Sequence, residues 1–210
     1  MAVKAATANK DVTIINTGCA NISSVKFALQ RLGAVVTVSK DPKEIASAKR
    51  LILPGVGAAP AAMRSIEKRG LINVIKQLQQ PVLGVCLGMQ IMVNSSEEND
   101  LGNDKNTPCL DLMPGRVNRL QVGTRRLPHM GWNQIQKTSN SPIFDGIDNG
   151  TYFYFVHSFA VTQYENTIAT CDYGEQFSAA IQHNNFIGVQ FHPERSSEAG
   201  AVVLRNFMSL

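Results

Sequence analysis

In Gly84-Val85-Cys86-Leu87-Gly88 a thiol stands midway between two glycines. This is the spacing of a nucleophile elbow, where a strand runs into a strained turn and a helix leaves it. The glycines give the turn room and let the helix pack closely. Such a thiol projects from the strand's carboxyl end, beside the positive end of the helix, which favours thiolate. The competing reading is a buried cysteine that only fills core. Phe191-His192-Pro193-Glu194 supplies the rest of a possible triad. His192 can act as the base, and Glu194 can accept the imidazole's other N–H and fix its tautomer. Pro193 stiffens the spacing between them. Alone, this tetrapeptide fits a surface loop equally well; with the elbow it points to Cys–His–Glu chemistry. Pro54-Gly55-Val56-Gly57 is a third candidate, since the N–H groups of such a loop can face a developing oxyanion. A simple Gly/Pro turn is its plain alternative.

These segments meet only if the fold brings strand ends together. Short apolar runs alternate with helical patterns over the first half, which predicts an α/β fold with a mostly parallel open sheet flanked by helices. Sites in such sheets form beyond the carboxyl ends of the strands. Val12–Ile15, Val35–Val38, Leu51–Leu53 and Val82–Val85 read as strands. Ser23–Leu32 reads as a helix stopped by Gly33. Asp41 and Pro42 suit the N-cap and first position of another. Ala61–Leu78 carries a long helical pattern interrupted by Gly70, and a helix is expected directly after Cys86. Residues 97–107 are polar and read as a loop. Residues 112–191 read as strands and turns, clearest at 151–156 and 186–191, and a last helix spans Ser197–Met208. The expected organisation is a disordered extension over residues 1–10 and one domain over residues 11–210.

With 44% hydrophobic and 17% charged residues, the 210-residue chain has ordinary globular composition. Its apolar runs fall short of the roughly 20 residues of a membrane span, and Met1–Lys10 has no apolar run like that of a secretory signal. A cytoplasmic protein with reduced thiols at Cys19, Cys86, Cys109 and Cys171 is expected. No Cys/His spacing predicts a metal site, and no cofactor is implied. A net charge of +4 is too mild to argue nucleic-acid binding. The cluster Arg116, Arg119, Arg125 and Arg126 reads as a solvated face, with an anion or partner surface as the sharper alternative.

Taken together, the elbow, the F-H-P-E segment and the chain length resemble class I, or triad, glutamine amidotransferases. Pro54–Gly57, Cys86-Leu87-Gly88-Met89-Gln90, Pro128-His129-Met130-Gly131-Trp132-Asn133 and Tyr154-Phe155-Val156-His157-Ser158 narrow the likeness to glutaminase subunits of imidazole glycerol phosphate synthase. The resemblance implies that Cys86 attacks the carboxamide of L-glutamine, His192 moves the proton and Glu194 holds His192. It implies an oxyanion hole from Leu87 N–H and the Val56–Gly57 stretch, which can rest with no donor aimed at the oxyanion. Gln90 and Glu98, with the backbone at His157, Ser158 and Phe159, are implied to bind the substrate's α-groups. The implied partner is a (β/α)₈-barrel cyclase subunit that receives ammonia in histidine biosynthesis. Asn21, Asp100, Met130, Trp132 and Asn133 are the interface candidates. Trp132 is the only tryptophan, a type favoured both in interfaces and in cores. Where many relatives read D-Y-G-x-G-N, this chain reads Asn16-Thr17-Gly18-Cys19-Ala20-Asn21, so Ala20 replaces the second glycine.

The chain carries machinery to release ammonia but no G-x-x-x-x-G-K-[ST] loop or second catalytic cluster to use it. A synthase partner follows from that gap. The competing readings are a triad glutaminase serving another synthase, a stand-alone cysteine hydrolase, and a non-catalytic regulatory subunit.

Overall fold

The computed structural model describes residues 11–18, 21–99 and 106–210. The first half alternates strands and helices: β1 (Asp11–Ile15), α1 (Ile22–Arg31), β2 (Val35–Ser39), α2 (Pro42–Ser47), β3 (Leu51–Gly55), α3 (Ala59–Lys68), α4 (Ile72–Lys76), β4 (Val82–Cys86) and α5 (Leu87–Gln90). The second half is strand-rich: β5 (Ser95–Ser96), β6 (Thr107–Pro108), β7 (Arg116–Arg119), β8 (His129–Gln134), β9 (Gln136–Lys137), β10 (Tyr152–His157), β11 (Phe159–Val161), β12 (Thr167–Asp172), β13 (Gln176–His183) and β14 (Phe186–Val189). The helix α6 (Ser197–Phe207) closes the chain. Among the described residues no helix is long and apolar enough to cross a membrane.

Eight strands form one mixed sheet in the order β2-β1-β3-β4-β14-β13-β12-β9. The strands from β2 to β14 in that order run parallel, and β13, β12 and β9 are added antiparallel. The two smaller sheets are a β10-β8 ribbon and the four-stranded β11-β7-β5-β6. The central strands are apolar along their whole length because helices cover both faces. Alternate residues then enter opposite cores: Ile52, Leu83 and Val85 join one cluster, and Leu51, Leu53 and Val82 the other.

Local chemistry sets the helix ends. Asp41 accepts from the N–H groups of Lys43 at 2.7 Å and Glu44 at 3.2 Å, with Pro42 in the first turn. The long pattern over Ala61–Leu78 resolves into two helices, α3 and α4, because Gly70 takes a left-handed φ of 68° between them. The helix after Cys86 is a single turn. The carbonyls of Ile91, Met92 and Val93 accept from Leu110, Leu112 and Asp111, so that backbone cannot continue as a helix. The field at Cys86 therefore comes from the free N–H groups of one turn rather than from a long helix dipole.

The order β3-β4-β14 is what gathers the motifs. Gly55 on β3 lies opposite Cys86 on β4, and Val189 on β14 lies opposite Val85. The Pro54–Gly57 segment thus belongs partly to a strand: Pro54 and Gly55 end β3, and Val56 and Gly57 turn away beside the nucleophile. Gly88 is required by packing, since a Cβ there would stand 1.8 Å from the carbonyl oxygen of Leu53.

Candidate active site

Cys86 ends β4 with φ 55° and ψ −113°. A non-glycine residue there carries strain of order 1–3 kcal/mol, held by the packing around it. The strain turns the side chain out of the sheet. Its Sγ lies 3.9 Å from the carbonyl oxygen of Val156, a weak contact, and Gln190 Nε2 approaches it at 3.7 Å.

His192 stands just past β14. Its backbone N–H donates to the Tyr154 carbonyl at 2.9 Å, and its carbonyl accepts from Ser196 Oγ at 2.7 Å. Both bonds hold the backbone from which the ring projects. Its Nδ1 bonds Glu194 Oε1 at 2.9 Å. Both side chains are buried, and His192 Nε2 and Glu194 Oε2 meet no hydrogen-bond partner among the described residues. Burial alone would lower the imidazole pKa. Hydrogen bonding and charge from Cys86 and Glu194 outweigh it and raise His192 to about 10. The upward direction follows from a thiol and a carboxylate that both face the ring in a dry site.

A cavity of about 380 Å³ joins these groups. Cys86, His192, Glu194, Val56, Gly57, Leu87, Gln90, Glu98, His157, Ser158, Phe159 and Asn21 all line it. That size suits a small metabolite. Gln90 Nε2 donates to the Phe159 carbonyl at 2.7 Å and to Gln190 Oε1 at 2.9 Å. Both its N–H bonds are used, so only its oxygen is left to meet a ligand, and it can meet only a donor. Glu98 Oε2 accepts from Ala59 N–H at 2.7 Å, at the start of α3. Burial raises the Glu98 pKa, and the Ala59 bond opposes that rise. The His157 ring packs 4.9 Å from Phe177, and its Nδ1 bonds the Phe159 carbonyl at 2.9 Å.

The interface candidates separate. Met130 and Trp132 are 62% and 51% exposed, so the lone tryptophan is not core. Asn21 caps α1, accepting from Ser24 N–H at 3.5 Å, and also reaches the cavity. Asn133 turns inward, where its amide bonds Asp172 and His129. Asp100 lies outside the described residues, as do Cys19, Ala20 and residues 1–10. The arginine cluster divides: Arg116 donates to Asn106 Oδ1 at 3.0 Å, and Arg125 sits 5.6 Å over the Tyr173 ring. Sequence reasoning gave no site role to Pro128, although its motif was singled out, and missed Gln190 and Arg195. Gln190 carried one signal, a glutamine inside an otherwise apolar strand that needs partners when buried.

His129 and His157 are buried beside this site. Burial lowers His129 to about 4. Burial first, then the charges of His129 and His192, lower His157 to about 3, against the Phe159 carbonyl, which raises it. Folded-state values below the ordinary 6.5 mean stability that is present above pH 6.5 and lost as pH falls toward 4 and then 3. Resistance to urea unfolding is therefore expected to fall between pH 6.5 and 4, and His129→Phe to flatten part of that slope. Equal slopes in parent and variant would remove His129 from the acid sensitivity.

The glutamine amidotransferase class-I family profile matches residues 13–210. Imidazole glycerol phosphate synthase subunit HisH of Vibrio parahaemolyticus is 54% identical over 199 residues, covering 95% of this chain and 98% of that relative. The HisH subunit of Haemophilus influenzae is 52% identical over 198 residues, covering 94% and 96%. Among solved structures, a glutamine amidotransferase from Thermotoga maritima superposes with a TM-score of 0.62 at 16% identity, over 90% of this chain and 78% of that one, a likeness of fold alone. With the elbow strained at Cys86, the imidazole held beside it and this identity along nearly the whole length, the chain belongs to the class I glutamine amidotransferases, among the imidazole glycerol phosphate synthase HisH subunits.

Proposed function

We propose that this chain is the glutaminase subunit of imidazole glycerol phosphate synthase and that Cys86, His192 and Glu194 are its triad. The observation that carries the reading is the convergence of a strained cysteine and a carboxylate-held histidine on one small cavity. Cys86 attacks the carboxamide carbon of glutamine as a thiolate. The C–N bond breaks, His192 gives its proton to the leaving ammonia, and a cysteinyl thioester remains. His192 then takes a proton from water, which attacks the thioester and releases glutamate. Glu194 keeps the imidazole in the useful tautomer and stabilises its charged form. Leu87 N–H and the Val56–Gly57 backbone serve the oxyanion. The free oxygen of Gln90 and the carboxylate of Glu98 both suit the α-ammonium of glutamine, and the backbone at 157–159 is left for its carboxylate.

Ammonia passes to a (β/α)₈-barrel cyclase subunit, which forms imidazole glycerol phosphate and AICAR in histidine biosynthesis. The outer face of the β8–β10 ribbon supports that docking: Met130, Trp132 and Tyr152 are exposed there, and the Trp132 and Tyr154 rings meet edge to face at 6.1 Å. Aromatic anchors with an apolar neighbour are typical of a binding patch. The test is release of glutamate and ammonia from glutamine by the purified chain together with the cyclase subunit. Equimolar release, with incorporation of the nitrogen into product, is expected; no release from the complex would reject the reading.

A further inference from the structure

The inner face of β8 carries a hydrogen-bonded chain whose direction is fixed at both ends. Along β8 the side chains alternate. Met130, Trp132 and Gln134 face out, and His129 and Asn133 face in. The Asn133 amide can take only one orientation. Its Oδ1 accepts from Gln134 N–H at 2.8 Å, and its Nδ2 donates to the Asp172 carbonyl at 2.8 Å. The second hydrogen on Nδ2 is then directed at His129 Nε2, 3.3 Å away, which must be an acceptor. His129 therefore carries its proton on Nδ1 and donates to His157 Nε2 at 3.2 Å. That leaves the His157 proton on Nδ1, where it donates to the Phe159 carbonyl at 2.9 Å. A carbonyl can only accept, so the far end independently demands the same tautomer. Both rings are neutral in this arrangement, because a second proton on either would set N–H against N–H. Their burial and lowered pKa values agree. The His129 ring is clamped by stacking, 4.0 Å from Tyr173 and 5.0 Å from Phe155.

The Phe159 carbonyl is where this chain meets the site. It also accepts from Gln90 Nε2, whose other hydrogen reaches Gln190 Oε1, and Gln190 Nε2 points at Cys86 Sγ. A single network therefore runs from the inner face of the exposed ribbon to the nucleophile. Its longest nitrogen or oxygen link is the one between Asn133 and His129. If that donor moves away, the buried Nε2 of His129 loses its hydrogen bond, a cost that favours the other tautomer or another ring setting. His157 then loses its own donor, and the Phe159 carbonyl loses one of two.

We propose that His129 and His157 are positioning residues, a one-way imidazole relay that carries the seating of a partner on the outer face of β8 to the glutamine-binding backbone at 157–159. This rests on the glutaminase reading given above. A partner that binds Met130 and Trp132 presses on the same six-residue strand whose inner face holds Asn133 and His129. It changes the relay only by preferring one ribbon geometry over another.

Two measurements on the full chain and its complex with the cyclase subunit test this. Nitrogen-15 NMR of the imidazoles at neutral pH is expected to show both His129 and His157 neutral with the proton on Nδ1. A proton on Nε2 of either ring, or a charged ring, overturns the relay. His129→Phe keeps the stacked shape and removes both nitrogens. Its stimulation by the cyclase subunit is expected to fall about fivefold or more, in the range of ordinary coupling between sites, with a higher glutamine KM. Parental stimulation and parental KM in this variant overturn the relay while leaving the glutaminase reading intact. A parent chain that hydrolyses no glutamine in the complex overturns the glutaminase reading itself. Should the variant not fold, the NMR tautomers of the parent decide the question.

Discussion

Cys86→Ala is expected to lower glutamine hydrolysis by on the order of 10⁶, the scale of losing a triad nucleophile. The fold should survive, because alanine keeps the Cβ and removes only one small sulfur from the site. Steady-state release of glutamate, with a thermal unfolding midpoint on the same preparation, separates lost chemistry from lost structure. The chain contains its own controls. Cys109 and Cys171 are buried free thiols. Burial, aided by the charge of Glu98 at Cys109 and of Asp172 at Cys171, pushes both up to about 12, so neither is a thiolate at neutral pH. Alanine at either should leave the turnover of the folded enzyme near the parent value. A well-folded Cys86→Ala chain that still turns over glutamine at the parent rate would end the thioester mechanism.

The second large effect is expected from the partner. The isolated chain should hydrolyse glutamine roughly 10²–10³ more slowly than the ligand-bound complex, the range associated with one withheld oxyanion donor. The loop after β3 is built for such a change. Gly55 is locked opposite Cys86 in the sheet, whereas Gly57 holds φ 94° and, its chain neighbours aside, no atom of the described residues lies within 4 Å of where its Cβ would stand. Without a Cβ, Gly57 lets the 56–57 peptide change orientation at low backbone cost, and that peptide follows the strand end opposite the nucleophile. Val56, 40% exposed, gives a partner something to touch. The assay compares kcat for the chain alone, the complex, and the complex with the cyclase ligand bound. Equal values in all three would rule the switch out. Val56→Pro removes one N–H from the loop and keeps that of Gly57; if the stimulated rate is unaffected, Gly57 is the donor.

Much of this site was readable because each motif is local. A glycine-framed cysteine after an apolar run, and a His-Pro-Glu after another, mark strand ends by residue type alone. The neighbourhood of β4 and β14 was not readable, because strand order depends on packing between segments about 100 residues apart. Gln190 was hidden for the same reason: its partners, Gln90 and Cys86, come from the other strand and its elbow. The split between α3 and α4 was half visible. The pattern runs on because Ile66, Leu71, Ile75 and Leu78 are all buried, and only the backbone of Gly70 separates the two helices. The shortness of α5 could not be foreseen from Ile91, Met92 and Val93, which remain apolar and buried after the helix has ended. Asn133 reads as a surface residue beside Trp132 until the strand period places it on the opposite face.

That period has a consequence for how β8 can change over generations. Its outward residues face a would-be partner and its inward residues face His157, so the two sets cannot be exchanged. Sliding the strand by one position would bury Met130 and Trp132 against the imidazole and expose His129 and Asn133. Insertion or loss of a single residue within β8 would disturb its exposed face and its hydrogen-bonded inner face together. A change of two residues would restore the faces but would still part Asn133 from His129, so the turns on either side are the places where length can vary.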